Sequence, residues 1–208
     1  MKLNEPTAVC KICFNEFKRR SPRTLFGSNV YVCPNCYKKL KPRFYSHKID
    51  GVKALTIYEY DDEMKSLIYK LKGCYDIELA QIFIPHFVNL LRFCYRGYYL
   101  VPAPSSKVDD IKRGFNHVEE LFRVLHLPFL KIITKIDEYK QSDHHAKDRY
   151  LIDKHLKVSD LNSVKNKKIL IVDDICTTGS TLKAMVNIIR MGNPRTIKIL
   201  TIAMTKVH

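Results

Sequence analysis

Between Lys168 and Gly192 the chain changes character three times within 25 residues, and that succession restricts the fold more than any other feature. The run Ile169-Leu170-Ile171-Val172 offers water no polar side chain, as expected of a strand buried on both faces inside a parallel sheet. Asp173 and Asp174 follow where such a strand, read as Lys168 to Val172, emerges. Next comes a hydroxyl-rich loop around a single glycine, Thr177-Thr178-Gly179-Ser180-Thr181. A helical pattern then spans Ser180 to Met191, with Leu182, Met185, Val186 and Ile189 on one face and Gly192 as its stop. A strand from Ile197 to Ala203 closes a β-loop-α-β unit, so the expected class is α/β, a mostly parallel, Rossmann-like sheet with flanking helices.

The chemistry of that unit follows from its geometry. A helix packed on the sheet by its apolar face aims its amino end, with free amide donors and the positive end of its dipole, at the strand's exit. The hydroxyls add donors, and Gly179 lets the backbone approach an anion closely. A Walker loop requires G-x-x-x-x-G-K-[ST] and a dinucleotide fingerprint G-x-G-x-x-G; neither is present. A phosphate cradle preceded by two carboxylates suits a sugar phosphate, its phosphate on the loop and its ring hydroxyls donating to Asp173 and Asp174.

Composition bounds the partners. The 36 Lys and Arg exceed the 21 Asp and Glu, a formal net charge of +15. Nucleic acid, a phosphorylated small molecule or acidic lipid are therefore the expected long-range partners, unless the lysines only solubilise the surface. The amino terminus lacks the apolar core of a secretory signal, and no membrane span of about 18 uncharged apolar residues is expected. The most apolar window, Leu79 to Val101, is interrupted by Pro85, His86, Arg92 and Arg96. A cytoplasmic protein is the expectation.

Seven cysteines in such a chain point to metal or free thiols rather than disulfides. Cys10-Lys-Ile-Cys13 and Cys33-Pro-Asn-Cys36 form two C-x-x-C knuckles separated by 19 residues, the spacing of a closed four-thiolate zinc site. A zinc-finger module is expected over 1–42 and the main domain over 43–208. Zn2+ there contributes folding energy, with no open position for a substrate. Two roles stay open for the module: a structural clip, or a single-stranded nucleic-acid contact through Arg19, Arg20, Arg23, Lys38 and Lys39 interleaved with Phe14, Phe17, Phe26, Tyr31 and Tyr37. Cys74 and Cys94 read as buried thiols.

In the remainder, Val52 to Tyr60 alternates as a half-exposed strand, and Asp61 or Asp62 starts a helix carrying Met64, Leu67, Ile68 and Leu71 to a stop at Gly73. A further helix runs from Asp76 into Phe83 to Phe93, kinked or split at Pro85. Tyr98 to Val101 is a short strand leading to a loop with Ser105, Ser106 and Lys107. A helix from Val118 to Leu125 and a strand in "FLKIIT" follow. The polar stretch 137–150 is expected to be a mobile loop.

The segment "ILIVDDICTTGST" resembles the phosphoribosyl pyrophosphate (PRPP) signature of the type I phosphoribosyltransferases. That resemblance implies the type I fold, 5-phosphate binding by Cys176, Thr177, Thr178, Gly179, Ser180 and Thr181, and ribose binding by Asp173 and Asp174, which would be the catalytic acids of an active enzyme. It also implies Mg2+ bridging diphosphate and sugar oxygens, with Ser105, Ser106 and Lys107 beside the diphosphate. Together with the cysteine finger, "YKLKG", "LVPAPSS" and "RGFNH", and Gln141 and Arg149 eight apart, the chain resembles the ComF-type competence proteins, the ComFC group. His117 stands where that pattern usually has glutamine, and Arg113 is implied as a diphosphate or nucleic-acid contact. The resemblance implies a PRPP-binding protein of natural transformation that handles single-stranded DNA, with other competence proteins as partners. The alternative is an active magnesium-dependent phosphoribosyltransferase of nucleotide salvage whose acceptor is open.

Overall fold

Along the chain, the amino-terminal segment supplies an antiparallel ribbon of β1 (Thr7–Val9) and β2 (Glu16–Lys18), then one short helix, α1 (Pro34–Leu40). The structure, a computed structural model, describes residues 7–18, 31–135, 151–153 and 156–205. Arg19, Arg20, Arg23, Phe26 and the polar stretch carrying Gln141 and Arg149 lie outside the described residues.

Next come β3 (Tyr45–Ile49), β4 (Val52–Glu59) and helix α2 (Asp62–Gly73). Asp61 caps α2, its side chain accepting from the Met64 amide at 2.9 Å, and acidic Asp62 and Glu63 then occupy the positive end of the helix. The expected long helix after Asp76 is split. A 3-10 turn at Ile77–Leu79 leads to α3 (Ala80–Phe83), and a second at Pro85–Phe87 leads to α4 (Val88–Cys94). Pro85 lacks the amide that a continuous helix needs, so the chain restarts there. Ile77–Cys94 is the one stretch among the described residues long and apolar enough for a membrane span by composition. Leu79, Ile82, Phe83, Ile84 and Leu91 are instead buried in the protein's own core.

Strand β5 (Tyr98–Pro102) precedes helices α5 (Lys107–Arg113) and α6 (His117–Arg123). A small sheet, ordered β6-β8-β7, combines β6 (Ile133–Lys135), β7 (Leu151–Asp153) and β8 (Leu156–Val158). The "FLKIIT" strand is thus shorter than expected, although Phe129 bridges to Leu100. The chain ends in β9 (Lys168–Cys176), α7 (Ser180–Met191) and β10 (Thr196–Met204).

The main sheet has the order β3-β4-β10-β9-β5. Four strands run parallel, and only the edge strand β3 is antiparallel to its neighbour β4. The central strands are apolar on both sides because both faces are covered. Leu170, Val172, Leu200 and Ile202 join a core with α2, α3, α4 and α6, whereas Ile169, Ile171 and Ile199 join a second core under α7. Thr56 and Thr201, opposite one another on β4 and β10, are fully buried and bond through their hydroxyls at 2.6 Å. Each thus spares the other the cost of a buried, unpaired polar group.

The amino-terminal segment shares the first core. Cys10, Val32, Cys33, Cys36 and Leu40 pack in the same cluster as Met64, Leu67 and Leu71 of α2. Lys11 ties the segment further to Glu78 by an ion pair and to Gln81 by a hydrogen bond of 2.9 Å.

Candidate functional site

Strand β9 does not stop at Val172. Its ladder with β10 continues through Ile175 opposite Ala203 and Cys176 opposite Met204, so both acids stand within the strand. Sequence alone ended the strand at the last apolar residue. The neighbouring strand, long enough to keep pairing, carries it four residues further.

Beyond Cys176 the loop turns into α7. Gly179 takes a left-handed backbone, φ 72°, which a side chain disfavours. Gly179 has no side chain to cap this helix start, and the Ser180 amide makes only a long contact, 3.4 Å, with the Thr178 hydroxyl. Thr177, Thr178, Ser180 and Thr181 are exposed around it, and the Thr178 and Ser180 hydroxyls lie 3.0 Å apart. Exposed hydroxyls that bond one another and the positive end of the helix dipole thus stand together, the geometry of an anion cradle. Cys176 is buried, its thiol raised by burial and by the neighbouring Asp173 charge, so only its backbone belongs to the loop's outer surface.

The β5 exit stands beside the same place. Pro102 pairs with Val172, and the Ala103 amide donates to the Val172 carbonyl at 2.8 Å. Ser105 and Ser106 follow, but Lys107 is not a loop residue: Ser106 caps α5, accepting from the Asp109 amide, and Lys107 is the first helical residue, exposed.

Successive strand side chains leave on opposite faces, and the two acids divide accordingly. Asp174, 4% exposed, enters the face lined by α2 and α6 and forms an ion pair with Lys72. His117 Nε2 lies 3.7 Å from the same carboxylate. Burial alone would raise Asp174, but the Lys72 ammonium outweighs it and holds the carboxyl below its ordinary range. Asp173 keeps some solvent exposure and accepts the Asp174 amide at 2.9 Å. Its crowded surroundings and the adjacent Asp174 charge push its carboxyl well up. His117 is driven to about 4, chiefly by burial, so near neutral pH its imidazole is uncharged.

Behind Asp174 the "RGFNH" segment forms one polar network. Arg113 Nη1 meets Asp110 at 3.1 Å and His117 Nδ1 at 2.9 Å, while its Nε donates to the Lys72 carbonyl at 3.1 Å. Asn116 caps α6 through the Glu119 amide, and its Nδ2 donates to Ser105 Oγ at 2.7 Å and Asp110 Oδ2 at 2.9 Å. Arg113, with a side chain 7% exposed, therefore faces inward and positions Lys72 and His117; the structure does not bring it to the surface. Phe115 packs against the core. Sequence reasoning assigned no role to Lys72, Asp110 or Asn116. The signal for the first lay in the unexplained "YKLKG".

The four finger cysteines converge. Their Sγ atoms all lie within 4.8 Å of one another, and Cys13 and Cys33 are 3.8 Å apart. A tetrahedral site with metal–sulfur bonds of about 2.3 Å has sulfur–sulfur edges of about 3.8 Å, so these residues fit a metal ion, zinc above all. The Cys33 amide donates to Cys10 Sγ at 3.3 Å, and the Cys36 amide to Cys33 Sγ at 3.5 Å. Burial works against a Cys10 thiolate, but the amides of Cys33, Cys13 and Ile12 outweigh it and lower this thiol to about 7. Of the module's aromatics, Phe17 and Tyr37 pack on the shared core, whereas Phe14 is 73% exposed. Lys38 and Lys39 are exposed on the last turn of α1. Cys74 and Cys94 are exposed rather than buried, since each falls at a helix end facing away from the core.

The chain is similar in sequence to several known proteins. The sequence profile of the phosphoribosyl transferase domain matches residues 111–207. The chain is 25% identical to the competence protein ComFC of Streptococcus pneumoniae over 94% of its own length and 87% of the relative's. It is 30% identical to ComFC of Bacillus subtilis over 61% of its length and 53% of that protein. Among solved structures it is similar to a purine phosphoribosyltransferase from Pyrococcus horikoshii, with 21% identity, a TM-score of 0.38, and coverage of 65% of this chain and 79% of that one.

Proposed function

We propose, from the premise that the chain belongs to the ComFC-type proteins of the phosphoribosyltransferase family and has their type I fold, that it binds PRPP and handles single-stranded DNA in natural transformation. The observation that carries this reading is the uncapped start of α7, ringed by exposed Thr177, Thr178, Ser180 and Thr181 and entered through a left-handed Gly179, beside an acid pair. In it the 5-phosphate takes the amides and hydroxyls of the loop. Asp173, which keeps solvent exposure, accepts from the ribose hydroxyls. Asp174, committed to Lys72, supports it from behind. Ser105, Ser106 and Lys107, at the neighbouring strand exit, stand on the diphosphate side. Magnesium arriving with the diphosphate supplies charge neutralisation there.

Zinc on Cys10, Cys13, Cys33 and Cys36 would fasten the amino-terminal segment to α2. Exposed Lys38 and Lys39, with the overall charge of +15, supply the phosphate contacts for a single strand. Work in the cytoplasm beside other competence proteins fits this role. Calorimetric titration with PRPP and magnesium tests the pocket, and a salt series tests the strand. Saturable PRPP binding and a steep loss of single-strand affinity with salt are expected. Failure of PRPP to bind overturns the first part, and salt-independent DNA binding the second. Diphosphate release in the presence of nucleobases decides the alternative, an active transferase of nucleotide salvage.

A further inference from the structure

At the amino ends of the parallel strands, lysines line up across the main sheet. Lys48 of β3 stands directly opposite Lys53 of β4, and the β4–β10 register, Ala54 opposite Ile199, brings Lys198 beside Lys53. Lys198 lies opposite Leu170 of β9, and Lys168, two residues earlier on that strand, lies opposite Tyr98. Leu170 and Tyr98 belong to the core formed with α2, α3 and α4, so the four lysines leave on that face of the sheet. Lys48 and Lys53 are exposed there, and Lys168 and Lys198 are half-buried. With neighbouring strands about 4.8 Å apart, the row crosses about 14 Å from β3 to β9. The phosphate loop follows Cys176, at the opposite end of β9 and about 25 Å from Lys168.

Folding alone does not account for this row. Like charges directly opposite one another on adjacent strands destabilise a sheet. Among the described residues none of the four lysines is paired with a carboxylate, and Asp50, in the turn between β3 and β4, is taken by Arg190. Lysine on an edge strand discourages pairing with another sheet, which explains Lys48 on β3 but not Lys53 and Lys198 on the inner strands β4 and β10. Two tyrosines hold the far end of the row. Lys198 Nζ lies 5.3 Å from the ring centre of Tyr98 and 5.7 Å from that of Tyr95, and Lys168 Nζ lies 5.8 Å from the Tyr98 centre. Both rings are buried, so they fix the ammonium groups in place rather than offer a face to a base. A cavity of about 490 Å³ opens beside the row, with Lys53, Thr196 and Lys198 in its wall.

We infer that the lysine row is a track for the phosphodiester backbone of a nucleic-acid strand, separate from the cysteine finger and from the phosphate loop. Successive phosphates of one strand meet successive ammonium groups and release their condensed counterions, while the bases stay turned away. An extended polyanion fits better than a single phosphate, because the ammonium groups are spread along a line on the sheet instead of converging on one point. A bilayer fits less well, because the four lysines and two buried tyrosines offer no apolar side chain to insert. Lying at the other end of the sheet from the loop, the track leaves room for a strand and PRPP at once. The inference deepens the proposed handling of single-stranded DNA and rests on that reading for the identity of the polyanion.

The test uses the full zinc-loaded chain, with a 20-nucleotide oligo-dT and a mixed-sequence strand of the same length titrated by fluorescence anisotropy across a salt series. Combining Lys48→Gln, Lys53→Gln and Lys198→Gln should flatten the slope of log affinity against log salt by about 2, since each phosphate contact with a single strand contributes about 0.7. Near 0.1 M salt that is a loss of roughly tenfold to a hundredfold, alike for both sequences because no base is read. The thermal midpoint of Lys48→Gln with Lys53→Gln should not fall, since an opposed pair of like charges is removed. Lys38→Gln with Lys39→Gln provides the comparison on the finger. A native salt slope in the triple variant overturns the inference, and if the finger variant then loses slope, the single-strand reading stands with the finger as its contact. No strand binding by the unmodified chain overturns both. Native strand binding with lost capture by phosphatidylglycerol vesicles gives the row to a membrane and likewise overturns the inference. PRPP titration should be the same in the native chain and the triple variant. Should PRPP fail to bind while the triple variant loses its slope, the track stands and the PRPP reading falls.

Discussion

Replacing Lys72 by methionine removes the counter-ion of a carboxylate that has almost no access to water. The side chain of Asp174 is 5% exposed and that of Lys72 is 34% exposed. Breaking a fully buried pair by removing one partner costs about 3–5 kcal/mol, because a charge stays behind unpaired. Water reaches the lysine end of this pair and screens it, so a cost below that range applies, about 2–3 kcal/mol. For a chain of this size that is a fall in Tm of roughly 5–10 °C. The pH dependence supplies a sharper signature. In the native protein the Asp174 carboxyl lies below its unfolded value, so its contribution is full above the unfolded pKa and is lost as pH falls through the folded one. Without Lys72, burial dominates and the carboxyl rises above its unfolded value. The penalty is then present at neutral pH and shrinks as the group takes up a proton on acidification. Thermal unfolding followed by circular dichroism between pH 4.5 and 7.5 should show the gap between Lys72→Met and the native chain narrowing toward acid. Adding Asp174→Asn should recover most of the loss. A variant as stable as the native chain at pH 7, or a gap that widens toward acid, would refute the electrostatic account of this site.

Three further outcomes are expected. His117→Gln should flatten the acid side of the stability profile: the buried imidazole is lowered from 6.5 to about 4, so the native chain loses stability as pH falls through that window. Its contribution is about 3 kcal/mol at most, read as the difference between the two proteins' unfolding free energies across pH. Gly179→Ala forces a side chain into left-handed backbone at a cost of about 1 kcal/mol, and calorimetry should show PRPP affinity falling several-fold or more. Stripping metal with a chelator should lower stability of the whole chain rather than of the first 42 residues alone, because Cys10, Cys33 and Cys36 share a core with α2. Metal analysis before treatment should find about one zinc per chain, and differential calorimetry should show one displaced transition.

Much of the site was legible because its signals are local. Four apolar residues in a row specify a strand covered on both sides, a face of Leu182, Met185, Val186 and Ile189 specifies a helix lying on that sheet, and two C-x-x-C knuckles specify a four-sulfur cluster. Helix α7 runs Ser180–Met191 as its pattern requires, and Pro85 divides the helix it interrupts. The exposed hydroxyls after Cys176 follow from the same local logic, since nothing apolar is there to bury.

The division of labour between Asp173 and Asp174 is of another kind. Sequence places them side by side and chemically alike. Which acid keeps water and which takes a lysine depends on the strand continuing to Cys176 beside β10, and on α2 and α6 reaching one face with Lys72 and His117. Arg113, read as a diphosphate or nucleic-acid contact, became an internal brace, because the Lys72 carbonyl, 41 residues away in the chain, meets its guanidinium together with the near neighbours Asp110 and His117. Periodicity and spacing report how a residue relates to its near neighbours in the chain. Burial, charge pairing and the shape of a cavity depend on elements that sequence separates and folding brings together, and only tertiary structure determines them.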